Sequence, residues 1–177
     1  MKYLKISLVG DGAVGKTALR ERYIGGTFQS TYLMTIGADF ASHKATINEI
    51  EAQMQIWDLA GQPRFESVRT LYYKGTMGVL VVYDVTRADT LENVPKWIDE
   101  CFTHVGKAIP AVLLANKIDL READPLALTT EQGENLATEM GSKYSISCQY
   151  LETSAKTGEN VEKAFEILAR EILTLRM

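Results

Sequence analysis

A glycine-rich stretch near the start of the chain has the residue types and spacing of a phosphate-binding loop. Gly10, Gly15, Lys16 and Thr17 satisfy the pattern GxxxxGK[ST], between the apolar run YLKISLV and the helix-like TALRERYI. Glycines let backbone N–H groups approach phosphate oxygens closely. The Lys16 ammonium can bridge terminal phosphates, and the Thr17 hydroxyl is a ligand for Mg²⁺. The alternative, a glycine-rich turn with a solvated lysine, is disfavoured by the flanking strand and helix patterns.

Two tetrapeptides bear on the base, because kinases, ATPases and GTPases share such a loop. In NKID, residues 116–119, the Asp119 carboxylate can accept two hydrogen bonds from guanine. Adenine lacks these donors, so ATP would leave a buried Asp119 unpaired. Asn116 would connect loops, and the Lys117 stem would cover the base. In TSAK, residues 153–156, the Ala155 amide is expected to meet the guanine oxygen. Either tetrapeptide alone could be a turn at a strand end.

A third motif, WDLAGQ at residues 57–62, carries groups suited to phosphate hydrolysis. Asp58 follows an apolar strand and is positioned to hold Mg²⁺ through water. The Gly61 amide could contact a third phosphate, and Gln62 could orient an attacking water. Asp58 could also be a plain helix cap, but that interpretation does not account for the glycine and glutamine that follow.

Apolar runs before these motifs predict the scaffold that positions them. KYLKISLVG and EAQMQIWD alternate, whereas GVLVVYDV and AIPAVLLAN are almost continuously apolar, as is typical of parallel strands covered on both faces. Helical patterns are predicted at about residues 16–24, 66–74, 90–105 and 129–140 and after Gly158. This alternation favours a doubly wound α/β sheet, in which ligands bind beyond the carboxyl ends of the strands.

Length and composition exclude several other classes of protein. The chain has 177 residues, 46% of them hydrophobic, and no linker or repeat, so we predict one domain over residues 1–177. A net charge of -4 argues against nucleic-acid binding. Cys101 and Cys148 lack metal-ligand spacing and indicate reduced thiols in the cytoplasm. No apolar run reaches the length of a membrane span, and the N-terminus lacks the core of a signal peptide.

Taken together, these motifs resemble those of the small GTPases of the Ras superfamily, most closely the Rab branch. The resemblance covers about residues 2–175 and includes TIGADF, WDLAGQPRF, YYKGTMGVLVVYDVT, NKID and ETSAK in the family's order. It implies a P-loop GTPase domain, an α/β fold with a six-stranded, mostly parallel sheet and helices on both faces. It also implies GTP or GDP and Mg²⁺ as the ligands.

The resemblance assigns roles to individual residues. Thr35 looks like the first-switch threonine that binds Mg²⁺ and the third phosphate in the GTP state, which would make it a metal ligand with Thr17 and Asp58. Gln62 and Lys16 would be catalytic, and Phe28 looks like the aromatic residue at the guanine edge. The nucleotide-binding set is then Asp11, Gly12, Ala13, Val14, Gly15, Lys16, Thr17, Ala18, Phe28, Thr35, Gly61, Asn116, Lys117, Asp119, Ser154, Ala155 and Lys156.

Protein partners are implied in the same way. Phe40, Trp57 and Tyr72 match the aromatic triad that effectors of Rab proteins contact, although they could also be half-buried core residues. Effectors, an exchange factor and a GTPase-activating protein are expected to bind near residues 35–40, Trp57 and residues 62–72. The chain is expected to be a monomer that does not bind nucleic acid.

Two departures from the Rab pattern affect these expectations. Pro63 stands where Rab proteins usually have an acidic residue, and it favours an extended Gln62. The second switch, the segment of Gly61 and residues 62–72, could therefore differ in mobility. The end of the sequence, AREILTLRM, has no cysteine to prenylate. Either a lipidated tail lies outside this sequence or the protein carries no anchor. We therefore expect a cytoplasmic protein that reaches membranes only through partners or such a tail.

Three functions are compatible with the phosphate loop. The leading hypothesis is a GTP/GDP switch that hydrolyses GTP slowly, with Gln62 aligning water and no arginine of the chain clearly placed to complete the site. Loss of the third phosphate would release Thr35 and Gly61 and relax both switches. The second hypothesis is an interaction module without useful hydrolysis. The third, a P-loop kinase, is disfavoured by NKID.

Overall fold

A computed structural model describes residues 1–29 and 33–176. The strands are β1 (Lys2–Val9), β2 (Ala38–Ile47), β3 (Ile50–Leu59), β4 (Gly78–Asp84), β5 (Ala111–Asn116) and β6 (Cys148–Glu152). The α-helices are α1 (Lys16–Tyr23), α2 (Glu66–Arg69), α3 (Ala88–Glu92), α4 (Val94–Val105), α5 (Thr130–Tyr144) and α6 (Val161–Thr174). Short 3₁₀ turns cover Pro63–Phe65, Thr70–Tyr72 and Ile118–Leu120.

The strands form one six-stranded sheet in the order β2-β3-β1-β4-β5-β6. β2 is antiparallel to β3, and the other neighbours pair in parallel. This confirms the predicted α/β fold with a mostly parallel sheet. The segments after β1, β3, β5 and β6 follow parallel strands, so the four predicted motifs lie along the same edge of the sheet.

Helices cover both faces of the sheet, as the continuous apolar strands predict. Every residue of β4 is buried. Leu80 and Val82 belong to a core cluster that includes residues of α1 and α6, whereas Val79, Val81 and Tyr83 belong to a second cluster with α4 and α5. Within the described residues, no helix has both the length and the apolar character needed to cross a bilayer.

The structure differs from the predicted elements in three places. The helix expected at residues 90–105 is two helices, because α3 ends at Glu92 and α4 begins at Val94 with Pro95 in its first turn. A proline is tolerated in that turn, where its missing N–H has no intrahelical partner. The helix expected at residues 66–74 is limited to the single turn of α2 and its flanking 3₁₀ turns. The apolar runs did not indicate a strand at residues 38–47, where the structure has β2. The reason is that β2 is an edge strand in which only Ile47 is buried, so it has no continuous apolar pattern.

Candidate functional site

The phosphate loop, residues 10–17, connects β1 to α1 and is attached to the loop that follows β5. Gly15 has a φ of 104°, and a Cβ there would lie 2.3 Å from Nδ2 of Asn116. That Nδ2 donates to the Val14 carbonyl at 2.8 Å, and Oδ1 of Asn116 accepts from Thr153 Oγ1 at 3.1 Å. Asn116 therefore connects the two loops as predicted, and the close approach requires glycine at residue 15.

Lys16 lies over the phosphate loop. Its Nζ donates to the carbonyl oxygens of Gly10 and Asp11, at 2.8 Å each, and the residue is only 6% exposed. Burial lowers the pKa of Lys16 to about 8. A neighbouring anion would favour the charged ammonium, so the electrostatics of this loop suit a phosphate.

Thr17, Thr35 and Asp58 come together beside the phosphate loop. The two threonine hydroxyl oxygens lie 2.9 Å apart. Both hydroxyls donate to Oδ2 of Asp58, from Thr35 at 3.3 Å and from Thr17 in a short contact. The Asp58 side chain is fully buried, and its Oδ1 has no hydrogen-bond partner among the described residues. Two hydroxyls and a buried carboxylate with an unused oxygen are the kinds of oxygen ligand that suit Mg²⁺.

Lys117 forms a second attachment between the phosphate loop and the loop after β5. Its Nζ donates to the Ala13 carbonyl at 2.7 Å and forms an ion pair with Oδ2 of Asp84 at 2.8 Å. Asp84 is buried, and its Oδ1 accepts from the backbone N–H and the hydroxyl of Thr86. Asp84 lies at the carboxyl end of β4 and fixes the direction of the lysine. The motif YYKGTMGVLVVYDVT contains this aspartate, but the sequence analysis gave it no role.

The candidate base-binding residues lie between the ends of β5 and β6. Asp119 is exposed, and its expected burial beneath a bound base stays a prediction. Its Oδ1 accepts a hydrogen bond from Ser154 Oγ at 2.6 Å, which leaves Oδ2 available. Ala155 is buried, whereas Lys156 is exposed. The NKID and TSAK segments are therefore in contact, and one carboxylate oxygen of Asp119 is oriented by the second segment.

The segment after β3 lies directly against the phosphate loop. A Cβ at Gly61 would lie 2.4 Å from Gly10 O, 2.5 Å from Asp11 C and 2.6 Å from Gly12 N. Only glycine permits this backbone-to-backbone approach. Gln62 follows with φ of -72° and ψ of 139°, the extended conformation that the next proline favours.

Side chains from the α3–α4 region contact the phosphate loop on the side away from the cleft. The sequence motifs did not indicate these contacts. Asp11 accepts hydrogen bonds on both carboxylate oxygens, from Asn93 Nδ2 and Trp97 Nε1, at 2.8 Å each. Its side chain therefore contacts α4. Arg87 Nη1 donates to the Gly12 carbonyl at 3.0 Å. Arg87 does not line the cleft over the loop, so the expectation that no arginine of the chain completes the catalytic site stays a prediction.

A cleft of about 200 Å³ lies over these groups. Phe28, which is 40% exposed, is one of its walls. Of the predicted residues, those that line the cleft are Gly12, Ala13, Gly15, Lys16, Thr17, Ala18, Phe28, Thr35, Gly61, Gln62 and Lys117. Those that do not line it are Asp11, Val14, Asp58, Asn116, Asp119, Ser154, Ala155 and Lys156.

Three aromatic residues form a row beside the cleft. The ring centroids of Phe40 and Trp57 lie 4.9 Å apart, and those of Trp57 and Tyr72 lie 5.2 Å apart. Phe40 is exposed, and the other two are partly buried. The row therefore combines packing with a surface that a partner could contact.

Comparisons with known proteins identify the family. The family described as "Ras family" matches residues 5–174. Ras-related protein RABA5b of Arabidopsis thaliana is 44% identical over 95% of this chain and 74% of its own length. Ras-related protein Rab-8B of Homo sapiens is 40% identical over 96% of this chain and 78% of its own length. The chain therefore belongs to the Ras family and is a Rab-like small GTPase, a nucleotide-binding switch that hydrolyses GTP.

Proposed function

We propose that the chain binds GTP or GDP with Mg²⁺ in the cleft over the phosphate loop. Membership of the Ras family implies guanine-nucleotide binding, and the roles of individual residues are part of the proposal. The backbone N–H groups of residues 12–18, the Lys16 ammonium and the positive end of α1 would hold the phosphates. Phe28 would pack against the base.

Thr17, Thr35 and Asp58 are the residues that would hold Mg²⁺. When bound, the ion would neutralise charge that develops on the phosphates. The convergence of these two hydroxyls on a buried carboxylate with an unused oxygen is the observation that carries this proposal. Thr35 would leave this cluster after loss of the third phosphate, which would relax the first switch.

For hydrolysis, Gln62 would orient the attacking water while Lys16 and the loop amides stabilise negative charge. No side chain is required as a nucleophile. Ras unaided turns over at roughly 3–5 × 10⁻⁴ s⁻¹ and gains about 10⁵-fold from a partner's arginine, and we expect the same slow regime here. The protein would thus act mainly through the lifetime of its GTP state.

Guanine specificity would depend on Asp119, with Ala155 contributing its amide. Asp119→Asn replaces an acceptor oxygen with a donor nitrogen, which suits xanthine because xanthine has a carbonyl in place of the guanine 2-amine. We expect about a tenfold to hundredfold loss of GDP affinity and a gain for xanthosine diphosphate. Asp99→Asn, an exposed aspartate on α4, is the matched control. An Asp119→Asn variant that binds GDP as the parent protein does would refute the role of Asp119.

Chromatography of the nucleotide released from purified protein tests the proposal as a whole. We expect guanine nucleotide at a ratio close to one per chain, and less retention after Asp58→Ala because the metal ligands would be lost. Adenine nucleotide, or retention that does not change in Asp58→Ala, would overturn the assignment.

Partner binding is assigned to the surface around the two switches. The family implies effectors, an exchange factor and a GTPase-activating protein. The row of Phe40, Trp57 and Tyr72 supports an effector contact there, because packed aromatic residues are common anchors of interfaces. We propose that the chain presents this surface as a monomer and reaches membranes through such partners.

A further inference from the structure

Arg69, at the end of α2, is a buried arginine that belongs to none of the nucleotide-binding motifs. It is 4% exposed. Its Nη1 donates to the carbonyl oxygen of Gln62 at 3.0 Å and to that of Ala60 at 3.3 Å. One guanidinium nitrogen therefore contacts the backbone on both sides of Gly61.

The guanidinium is fixed in this position from two other directions. Its Nε and Nη2 donate to the two carboxylate oxygens of Glu100, at 2.7 and 2.8 Å, and Glu100 also accepts from the Tyr73 hydroxyl at 2.8 Å. The guanidinium carbon lies 4.5 Å from the ring centroid of Trp97. A bidentate ion pair and a cation–π contact leave the arginine little rotational freedom.

The same tryptophan connects this group to the phosphate loop, since Trp97 Nε1 donates to Asp11. α4 thus contacts the phosphate loop through Trp97 and the second switch through Glu100 and Arg69. Both segments are attached to one rigid helix, which sets the distance between them.

We infer that Arg69 is a positioning residue for GTP hydrolysis, which acts by holding the backbone of residues 60–62 so that the Gln62 side chain is directed at the attacking water. This inference rests on the proposed role of Gln62. Pro63 fixes the chain after Gln62, and Arg69 fixes its carbonyl oxygen. A side chain whose backbone is held on both sides loses little entropy when it aligns a reactant.

The variant Arg69→Met keeps a long apolar side chain against Trp97 and removes all four hydrogen bonds to Glu100 and the backbone. We expect single-turnover GTP hydrolysis to slow by about tenfold to hundredfold, the effect of a displacement near 1 Å in a reacting group. GDP dissociation should not change, because the backbone that Arg69 holds, at residues 60–62, is expected to act on the third phosphate, which GDP lacks. Arg69→Lys keeps the charge but cannot form the paired bonds, so partial loss is expected.

A double-mutant cycle with Gln62→Leu distinguishes positioning from simple stabilisation. If Arg69 acts through Gln62, Arg69→Met has no further effect on hydrolysis in the Gln62→Leu background. Arg170→Met, the same substitution at an exposed residue of α6, is the control and should hydrolyse GTP at the parent rate.

Three results would overturn the inference. Hydrolysis at the parent rate in both Arg69 variants would remove Arg69 from the reaction and leave the role of Gln62 intact. An equal loss from Arg69→Met with and without Gln62→Leu would assign Arg69 a structural role independent of Gln62. Equal rates for the parent and Gln62→Leu would overturn the role of Gln62 and this inference together.

Discussion

Replacing Gly61 with alanine adds a single carbon atom, the Cβ, where the second switch contacts the phosphate loop. The added Cβ would lie 2.4–2.6 Å from three backbone atoms of residues 10–12. Carbon normally approaches other heavy atoms to about 3.5 Å, so the two segments must separate by about 1 Å. Neither segment moves easily, because the Ala60 N–H donates to the Gly37 carbonyl at 2.8 Å and Arg69 holds the Ala60 carbonyl.

We expect Gly61→Ala to slow single-turnover GTP hydrolysis by about a hundredfold, since a shift near 1 Å moves both the Gly61 amide and Gln62 away from the third phosphate. GDP dissociation should stay at the parent rate, because GDP lacks that phosphate. Fluorescent GDP displaced by excess unlabelled GDP measures dissociation, and chromatography of a single turnover measures hydrolysis.

Gly141→Ala on α5 is the matched control. A Cβ there would lie 3.3 Å from Ile146 O and 3.6 Å from the Cys148 Cβ, so little movement is required. This variant should hydrolyse GTP normally. Hydrolysis at the parent rate in Gly61→Ala would refute the argument from close approach, and a matching increase in GDP dissociation would show that the whole loop had been damaged.

Three further predictions concern groups around the site. Asp84→Asn removes the charge 2.8 Å from Lys117 and should speed GDP dissociation by about tenfold, and an unchanged rate in the displacement assay would contradict this. Ser154→Ala removes the donor to Asp119 and should weaken GDP binding by about threefold in a titration, whereas full affinity would show that Asp119 needs no orientation. Burial raises the pKa of the Cys148 thiol to about 11. Alkylation of Cys148 at pH 8 should therefore be about a hundredfold slower than that of a thiol of pKa 9, and its rate should increase up to pH 11. An alkylation rate that levels off near pH 9 would contradict this.

The features that could be predicted are those that depend on residues close together in the sequence. The phosphate loop was evident because its glycines, lysine and threonine lie within eight positions between a strand and a helix pattern. Continuous apolar strands indicated a sheet covered on both faces, and four motifs at strand ends then had to share one edge. The prediction of one helix over residues 90–105 was wrong in detail, since the chain forms two helices there and Pro95 lies in the first turn of the second.

Contacts behind the site could not be predicted in this way. The family resemblance placed Asp11 among the nucleotide-binding residues, yet its carboxylate accepts from Asn93, just before α4, and from Trp97 on α4, both more than 80 positions away. Arg69 and Glu100 have no local signal, because each is an ordinary charged residue on a helix. Their pairing becomes visible only when the fold brings α2 against α4.

Other segments contact the phosphate loop from three directions. These contacts would differ between the GTP and the GDP state of the switch. Asn116 and Lys117 contact it from the loop after β5, Asn93 and Trp97 contact it from the start of α4, and the second switch packs against it at Gly61. Of these three contacts, the one at Gly61 lies in a segment that would respond to the third phosphate. Loss of that phosphate should therefore loosen one side of the loop while the other two keep GDP bound, which is the behaviour required of a switch that needs an exchange factor to release its nucleotide.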